Sequence, residues 1–221
     1  MAKYFPLFLD IQDKPCLVVG AGQIATSKAE QLLKYGAKLT VVAPEASEQI
    51  RQWAAQGLLT YLPRAFLRDD LDGQTLVVGS TNAPSVNTQV FEEATRRGVM
   101  ANIVDVPELC NFIYGAVVQR GDLQIAISTS GQSPVFAAQL RQQLELQFGE
   151  EYAAYLEILG EARRLARERL PDPETQKRAY DLILKLELLP LISDGKTDVA
   201  REATLQVIAT LADEKHRTNT K

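Results

Sequence analysis

Histidine and cysteine are scarce in this sequence. Its 221 residues include one histidine, His216, in a polar C-terminal stretch, and two cysteines, Cys16 and Cys110. Ser-His and Cys-His catalysis needs a histidine base in a folded region, and disulfide frameworks and zinc knuckles need several suitably spaced cysteines. These classes are therefore excluded, and the sequence shows no metal-binding cluster. Cys110 is better interpreted as a buried structural thiol than as a group that faces a pocket.

Positive net charge and long apolar runs are also missing. The formal net charge is -4 and the sequence pI is about 5.2, which argues against binding nucleic acid through bulk electrostatics. No apolar run reaches the roughly eighteen residues of a transmembrane helix, and "MAKYFPLFLD" is not followed by a signal-peptide cleavage site. We therefore expect a cytoplasmic protein that binds neither nucleic acid nor a membrane.

From residue 15 to about 104, short apolar runs alternate with segments of helical periodicity. Strands are predicted at "CLVVG", "KLTVVA", "LLTYL" (58 to 62), "TLVVGS" (75 to 80) and "VMANIVD" (99 to 105). Helices are predicted after the first, second and fourth strands. Such alternation indicates parallel βαβ units with right-handed crossovers. The sequence thus predicts a Rossmann-like, doubly wound α/β domain over residues 1-112.

The pattern changes after residue 112. "FIYGAVVQRGDLQIAIST" is typical of a β-hairpin, and a helix with an apolar stripe follows, with Ser133 as N-cap and Pro134 in its first turn. We predict a small α+β region over residues 113-149 whose apolar surface pairs with a second copy in a homodimer. A C-terminal helical domain follows over residues 150-221, with breaks at 170-175 and 189-198.

The first predicted strand leads into a glycine turn, "VVGAGQIA". Gly20 allows the tight turn, and Gly22 lets backbone N-H groups approach a pyrophosphate at a helix N-terminus. Ala25 replaces the usual third glycine at a packing position, where a small side chain fits. Glu45, just after the second strand, is the candidate ribose ligand, and the lack of a basic residue there favours NAD over NADP. The alternative is a tight turn without a ligand.

Four segments, in order over about the first 147 residues, carry a resemblance to a known family. They are "YFPLFLDIQDKPCLVVGAGQIATSKAEQLLKYGAKLTVVAPE", "VVGSTNAPSVN", "ANIVDVPELCNFI" and "AISTSGQSPVFAAQLRQQLE". The sequence resembles the precorrin-2 dehydrogenase and sirohydrochlorin ferrochelatase family, which forms the N-terminal module of siroheme synthases. Because the sequence contains no methyltransferase domain after this region, we expect the stand-alone form of the family. The resemblance implies NAD-dependent oxidation of precorrin-2 to sirohydrochlorin, and in some members also insertion of ferrous iron at the same site.

The resemblance also implies site residues. The nucleotide ligands are Gly20, Gly22, Gln23, Ile24, Pro44 and Glu45, with Thr81 and Asn82 at the mouth of the same crevice. The aspartate of the family's "N-x-V-D-x-P" run corresponds to Asp105, which is therefore the candidate catalytic residue. A carboxylate there could stabilise the cationic macrocycle left by hydride removal, or accept its proton. The alternative is that Asp105 caps a turn before Pro107.

The acidic rim of a tetrapyrrole requires donors and cations. The loop "STSGQSP" resembles the family's serine- and glycine-rich run, and helix-start hydroxyls there could bind a substrate carboxylate; they belong to Ser128, Thr129, Ser130 and Ser133. The alternative is a plain connection in which Ser133 is only the N-cap. Candidate cations are Lys28, Arg120 and Arg141, each of which could instead be a solvated charge. A rival function is an NAD-sensing regulatory module without catalysis, which has no use for Asp105.

Overall fold

The computed structural model describes residues 4-170 and 172-218, with the backbone alone for residues 215-218. The chain divides into two compact units, Met1-Tyr114 and Gly115-Lys221. The finer limits predicted from the sequence, 1-112, 113-149 and 150-221, stay a prediction. In the described part of the chain, no helix is both long and apolar enough to cross a membrane.

The first unit is a five-stranded parallel sheet with helices in its crossovers. Its strand order is β3-β2-β1-β4-β5, so the doubly wound, Rossmann-like fold class is confirmed. In chain order, the elements are β1 (Pro15-Val19), α1 (Gln23-Lys34), β2 (Lys38-Val42), α2 (Glu48-Ala55), β3 (Thr60-Leu62), β4 (Leu76-Gly79), α3 (Pro84-Arg97) and β5 (Met100-Ile103).

Two apolar layers cover the two faces of this sheet. Successive strand residues point to opposite faces, so Val18 packs in one layer with Ala25 and Ala29 of α1. Leu17 and Val19 pack in the other layer, which includes Val90 and Ala94 of α3. Because both faces are covered, the central strands are continuous apolar runs rather than alternating ones.

The predicted strands are confirmed in number and order, but the first was placed one residue too late and the others were predicted too wide. The third one was predicted to begin at Leu58, whereas β3 begins at Thr60. Gly57 has a φ of 74° and Leu58 is 53% exposed, so the chain is still turning there. Helix α2 is capped at its start, because the Ser47 hydroxyl accepts a hydrogen bond from the Ile50 N-H.

The second unit begins with the predicted hairpin. Strands β6 (Ala116-Arg120) and β7 (Leu123-Ile127) pair antiparallel, and helix α4 (Pro134-Gln147) follows. Its predicted cap is confirmed, because the Ser133 hydroxyl accepts a hydrogen bond from the Phe136 N-H. Four further helices complete the unit: α5 (Glu151-Arg169), α6 (Pro173-Ile183), α7 (Leu188-Ser193) and α8 (Thr197-Thr218).

The predicted break at 189-198 is too wide, because α7 occupies its first half and only residues 194-196 separate α7 from α8. Leu188 and Ile192 are buried in the helical core, and Pro190 lies in the first turn of α7, where its missing N-H has no intrahelical partner to lose. The first break, at 170-175, includes Pro171, which lies outside the described residues. Beyond it, Asp172 caps α6 by accepting a hydrogen bond from the Thr175 N-H.

Candidate functional site

Four strands of the parallel sheet end in a single row. The register pairs Val19 with Val42, Val19 with Gly79, and Gly79 with Ile103. The residues that follow these four strands therefore lie along the same edge, which is where open α/β sheets bind ligands. The structure thus brings to one edge the predicted site residues of the first unit that directly follow strands: the glycine turn, Pro44, Glu45, Thr81, Asn82 and Asp105.

Gly20 is required by the fold itself. Its φ is 108°, and a Cβ at this position would lie 2.3 Å from the Ser80 carbonyl oxygen. Its N-H donates to the Val42 carbonyl at 2.9 Å. The glycine turn is therefore in contact with the "GSTN" run and continues from the end of β2.

Gly22 is not required by the fold. It is the N-cap of α1 with a φ of -75°, and no atom lies within 4 Å of the place where its Cβ would be. Helix α1 has no side-chain cap and no acidic residue in its first turn, and Gln23 and Ile24 are exposed. Open space in front of uncapped N-H groups fits a pyrophosphate, so these residues suit a dinucleotide.

The loop between β2 and α2 is fixed at both ends beside this turn. The Tyr61 hydroxyl donates to the Ala43 carbonyl at 3.0 Å, and the Ser47 N-H donates to the Ala21 carbonyl at 3.0 Å. Pro44 and Glu45 lie between these anchors and are exposed. The backbone of the loop that carries Glu45 is therefore anchored next to the glycine turn, and the Glu45 side chain is exposed.

Thr81 stabilises the turn between β4 and α3. Its backbone N-H and hydroxyl both lie within hydrogen-bonding distance of the Asn87 Oδ1, and the Asn87 amide donates back to the Thr81 carbonyl. Asn82 is exposed. Sequence reasoning missed Asn87, although it had a signal: this polar residue shares helical spacing with the buried Val90 and Ala94.

Asp105 lies in the turn that follows β5 and is exposed. Its φ of 61° is in the left-handed region, which non-glycine residues rarely adopt and which is enriched at functional sites. The short 3-10 turn at Pro107 has Val106 as its N-cap and no side-chain cap. Within the described residues, the Asp105 carboxylate makes no hydrogen bond or ion pair, so its side chain does not perform the capping role considered as the alternative.

Lys28 lies in the second turn of α1 and is half-buried. Its Nζ stands 4.1 Å from the centroid of the Tyr114 ring, a cation-π distance. Burial lowers the pKa of Lys28, and the negative charge of Asp105 opposes this effect. Among the described residues Lys28 has no ion pair, so an ammonium group with unused donors lies within the electrostatic reach of Asp105.

In the second unit, the predicted serine loop is shaped by its own hydroxyl oxygens. Ser128 Oγ accepts from the Ser130 N-H at 3.0 Å, and Thr129 Oγ1 accepts from the Ser133 N-H at 3.1 Å. Ser130 has a φ of 51°. Because these hydroxyls accept from the backbone, the hydrogens on Ser128 and Thr129 are left to donate.

The two candidate arginines of this unit are engaged within it. Arg120 donates from its three guanidinium nitrogens to the carbonyls of Phe148, Gln119 and Glu145, and its side chain is 15% exposed. Arg141 forms an ion pair with Glu145 one helical turn away. Neither arginine offers an anionic substrate an unpaired charge.

Cys110 is a structural thiol. Its Sγ lies 3.3 Å from the carbonyl oxygens of Ile103 and Val106, and burial raises its pKa. Burial likewise raises the pKa of Cys16 to about 11, and both cysteines are free. Across residues 4-170 and 172-214, no group of three or more histidine, cysteine, aspartate or glutamate side chains could hold a metal ion.

A parallel sheet of this order, with a glycine turn that leads into an uncapped helix, defines a Rossmann-like nucleotide-binding protein. Two family models match the chain. A putative NAD(P)-binding model covers residues 7-116, and a sirohaem biosynthesis protein central model covers residues 120-147. The first model coincides with the unit that carries the glycine turn and Asp105.

Known relatives extend the similarity over nearly the whole chain. Siroheme synthase 1 of Aeromonas hydrophila is 35% identical over 206 residues, which are 93% of this chain and 44% of that protein. The siroheme synthase of Thioalkalivibrio sulfidiphilus is 34% identical, over 95% of this chain and 43% of that protein. The chain therefore spans less than half the length of these relatives.

A solved structure matches both units. SirC, a precorrin-2 dehydrogenase, superimposes with a TM-score of 0.74 at 28% identity, over 94% of this chain and 100% of that one. Together with the two family models and the siroheme synthase relatives, this match shows that the chain belongs to the precorrin-2 dehydrogenase family of siroheme biosynthesis.

Proposed function

We propose that this chain oxidises precorrin-2 to sirohydrochlorin with NAD as the hydride acceptor. The observation that carries the proposal is the meeting, at one sheet edge, of a glycine turn that fits a pyrophosphate and a carboxylate without a partner, in a chain of this family. A nucleotide site alone would serve many proteins. An exposed, unpartnered aspartate beside it adds a group for proton chemistry.

Gly20, Gly22, Gln23 and Ile24 would hold the pyrophosphate at the start of α1, and Glu45 would accept hydrogen bonds from the adenosine ribose. NAD is proposed rather than NADP because a 2'-phosphate would meet the Glu45 carboxylate. The basic side chain nearest in the sequence, Arg51, pairs with Glu48 at 2.8 Å and donates to the Ala46 carbonyl. The Arg51 guanidinium is therefore already paired within the protein.

Oxidation removes two electrons and two protons from the macrocycle. A nicotinamide bound at this edge would supply the acceptor for one hydride, and the remaining proton would have to leave a ring system made more acidic by that loss. Asp105 is the group proposed to accept this proton and to stabilise the transient positive charge. Its exposure and its lack of hydrogen-bond partners leave both carboxylate oxygens available.

Lys28 is the proposed cation for a substrate carboxylate. The Lys28 ammonium is half-buried against Tyr114, and it is close enough to Asp105 for the two charges to interact. A macrocycle carboxylate bound there would stand beside the catalytic carboxylate. In the second unit, the hydroxyls of Ser128 and Thr129, with Ser130 and Ser133 in the same loop, stay the predicted carboxylate donors.

Insertion of ferrous iron is the second proposed activity, and it rests on the same unpartnered Asp105. Iron has to replace pyrrole protons, and a free carboxylate can accept them. The test adds ferrous or cobalt ion to sirohydrochlorin with and without the protein. A rate equal to that of the protein-free mixture removes this activity and leaves the dehydrogenase proposal standing.

Conversion of precorrin-2 with and without NAD tests the main proposal. The expected result is an NAD-dependent change from the precorrin-2 to the sirohydrochlorin absorption spectrum, with NADH formed in equal amount. A protein that binds NAD but leaves the spectrum unchanged would be the NAD-sensing module considered above. In that case Asp105→Ala should leave its response to the nucleotide intact.

A further inference from the structure

A hydroxyl pair joins the two halves of the proposed nucleotide site. Thr26, in the first turns of α1, and Ser47, at the start of α2, have their hydroxyl oxygens 2.8 Å apart. Thr26 follows the glycine turn, and Ser47 ends the loop that carries Glu45. The pair therefore connects the part of the site that faces a pyrophosphate with the part that faces a ribose.

The two hydroxyl groups of this pair donate in the same direction, toward Gly22. Thr26 Oγ1 donates to the Gly22 carbonyl at 2.9 Å, and a hydroxyl has only one hydrogen to give. With Thr26 donating to Gly22, Ser47 donates to Thr26, and Ser47 Oγ accepts from the Ile50 N-H at 3.3 Å. The result is a chain of hydrogen bonds from the first turn of α2 to Gly22, the glycine that the fold itself leaves free.

The backbone supports the same connection. The Ser47 N-H donates to the Ala21 carbonyl, between the two glycines. At the other end of the loop, the Tyr61 hydroxyl holds Ala43. The loop that carries Glu45 is therefore held at one end by Tyr61 and at the other by the Thr26-Ser47 pair. These two anchors set the distance of the loop from the glycine turn.

We propose that Thr26 and Ser47 are positioning residues that set the distance between the glycine turn and Glu45, and thereby the preference for NAD over NADP. The inference rests on the proposed function in that the chain binds a nicotinamide dinucleotide with Glu45 facing its adenosine ribose. Glu45 can accept hydrogen bonds from a ribose and repel a 2'-phosphate only while the loop is held. A loosened loop loses affinity for NAD and loses much less affinity for NADP.

Thr26→Val tests this role with little change of shape, because valine has the outline of threonine without the hydroxyl. Calorimetric titration of wild type and variant with NAD and with NADP gives the two dissociation constants. Of the two hydrogen bonds that Thr26→Val removes, the one to Ser47 connects the glycine turn to the loop. Its loss predicts NAD binding weaker by roughly threefold to tenfold, with a smaller loss for NADP. Thr26→Ser, which keeps the hydroxyl, should retain the wild-type ratio of the two constants.

Thr210→Val is the matched control. Thr210 in α8 makes the same bond to the carbonyl one turn before it, at 2.9 Å to Gln206, and is exposed in the second unit. The loss of this hydrogen bond should leave the dissociation constants of NAD and of NADP unchanged. Ser47→Ala provides a second variant from the other side of the pair, and it should move the ratio in the same direction as Thr26→Val.

If Thr26 and Ser47 had a merely structural role, their substitution would weaken the binding of NAD and of NADP equally. An unchanged ratio of the two dissociation constants in folded Thr26→Val and Ser47→Ala therefore overturns the inference. Wild-type protein that binds neither nucleotide overturns the proposed cofactor and this inference with it. The proposed reaction is tested separately from the inference. If the wild type binds NAD but does not oxidise precorrin-2, the reaction is contradicted, while the ratio in Thr26→Val still decides the inference.

Discussion

At the scale of single residues, the two motif glycines meet different requirements. Gly20 has a positive φ, and its missing Cβ makes room for the Ser80 carbonyl. Gly22 has an ordinary φ and open space in front of it. The first glycine is thus explained by the fold, whereas for the second we propose a ligand that approaches the start of α1. The sequence motif treats them alike because it carries no information on which atoms surround each one.

Alanine at these positions should separate folding from binding. Gly20→Ala is expected to lower the free energy of unfolding by roughly 3 kcal/mol or more, since it combines a strained φ with a backbone clash. Gly22→Ala should cost only about 1 kcal/mol, because alanine is a poorer N-cap than glycine, and should lose NAD affinity. Denaturant unfolding and NAD titration check the two variants. Wild-type NAD affinity in Gly22→Ala would mean that no pyrophosphate approaches there.

Lys28 gives the proposed reaction a pH dependence. Because burial holds the pKa of Lys28 below 10.5, its ammonium loses its proton at a lower pH than an exposed lysine does. Substrate affinity is therefore complete below that lowered pKa and is lost as the pH rises through it. Lys28→Arg should remove this alkaline loss, because arginine stays charged. The KM for precorrin-2 across the alkaline range is the measurement, and the same loss in both proteins would contradict the role of Lys28.

At the scale of secondary-structure elements, the strands of the first unit were predictable and some connections were not. Buried parallel strands such as β1 and β4 are continuous apolar runs, and this pattern survives in a single sequence. The short helix α7 was missed because Pro190 suggests a break, and only the burial of Leu188 and Ile192 shows why it forms. The bonds from Asn87 to Thr81 depend on atoms that meet only after folding.

Asn87 should stabilise the turn between β4 and α3. Asn87→Leu leaves the donors of Thr81 without the Oδ1 acceptor, so we expect a loss of about 1-3 kcal/mol in the free energy of unfolding. Thr88→Ala, at an exposed position on the same helix, is the control and should change stability by less than about 0.5 kcal/mol. Equal unfolding midpoints in the two variants would contradict this role of Asn87.

At the scale of the whole molecule, apolar surface remains exposed in the second unit. Helix α4 carries Val135 at 81%, Phe136 at 49% and Leu146 at 89% exposure. The amphipathic stripe predicted from the sequence correctly marked the helix, but its first two residues, Val135 and Phe136, are exposed in one chain. A single sequence does not tell a residue buried in its own fold from one buried by a second copy. We propose that a second copy covers this surface in a homodimer.

Val135→Asp tests the dimer without harming the helix. An acidic residue in the first turn of α4 is favourable for the helix itself, but a charge buried at an interface is costly. We expect wild type and Val135→Leu to have the mass of a dimer by light scattering, and Val135→Asp to have the mass of a monomer. A wild-type protein that is monomeric at all concentrations would refute the proposed homodimer.

The site as a whole was predictable only because several segments agreed. The sequence placed the glycine turn, Glu45 and Asp105 at strand ends, and the register of the sheet brings those ends into one row. The contact of Lys28 with Tyr114 and the pair of Thr26 with Ser47 join residues far apart in the chain. No spacing rule in the sequence predicts them, because they depend on side-chain packing between elements.

Asp105→Asn tests the central claim most directly, because it keeps the shape of the side chain and removes its charge and basicity. The measurement is the rate of NAD-dependent conversion of precorrin-2 by wild type and variant, together with their affinities for NAD. The account predicts unchanged NAD affinity and a rate lower by roughly 100-fold or more, the usual contribution of a positioned base. Equal rates in wild type and Asp105→Asn would contradict it.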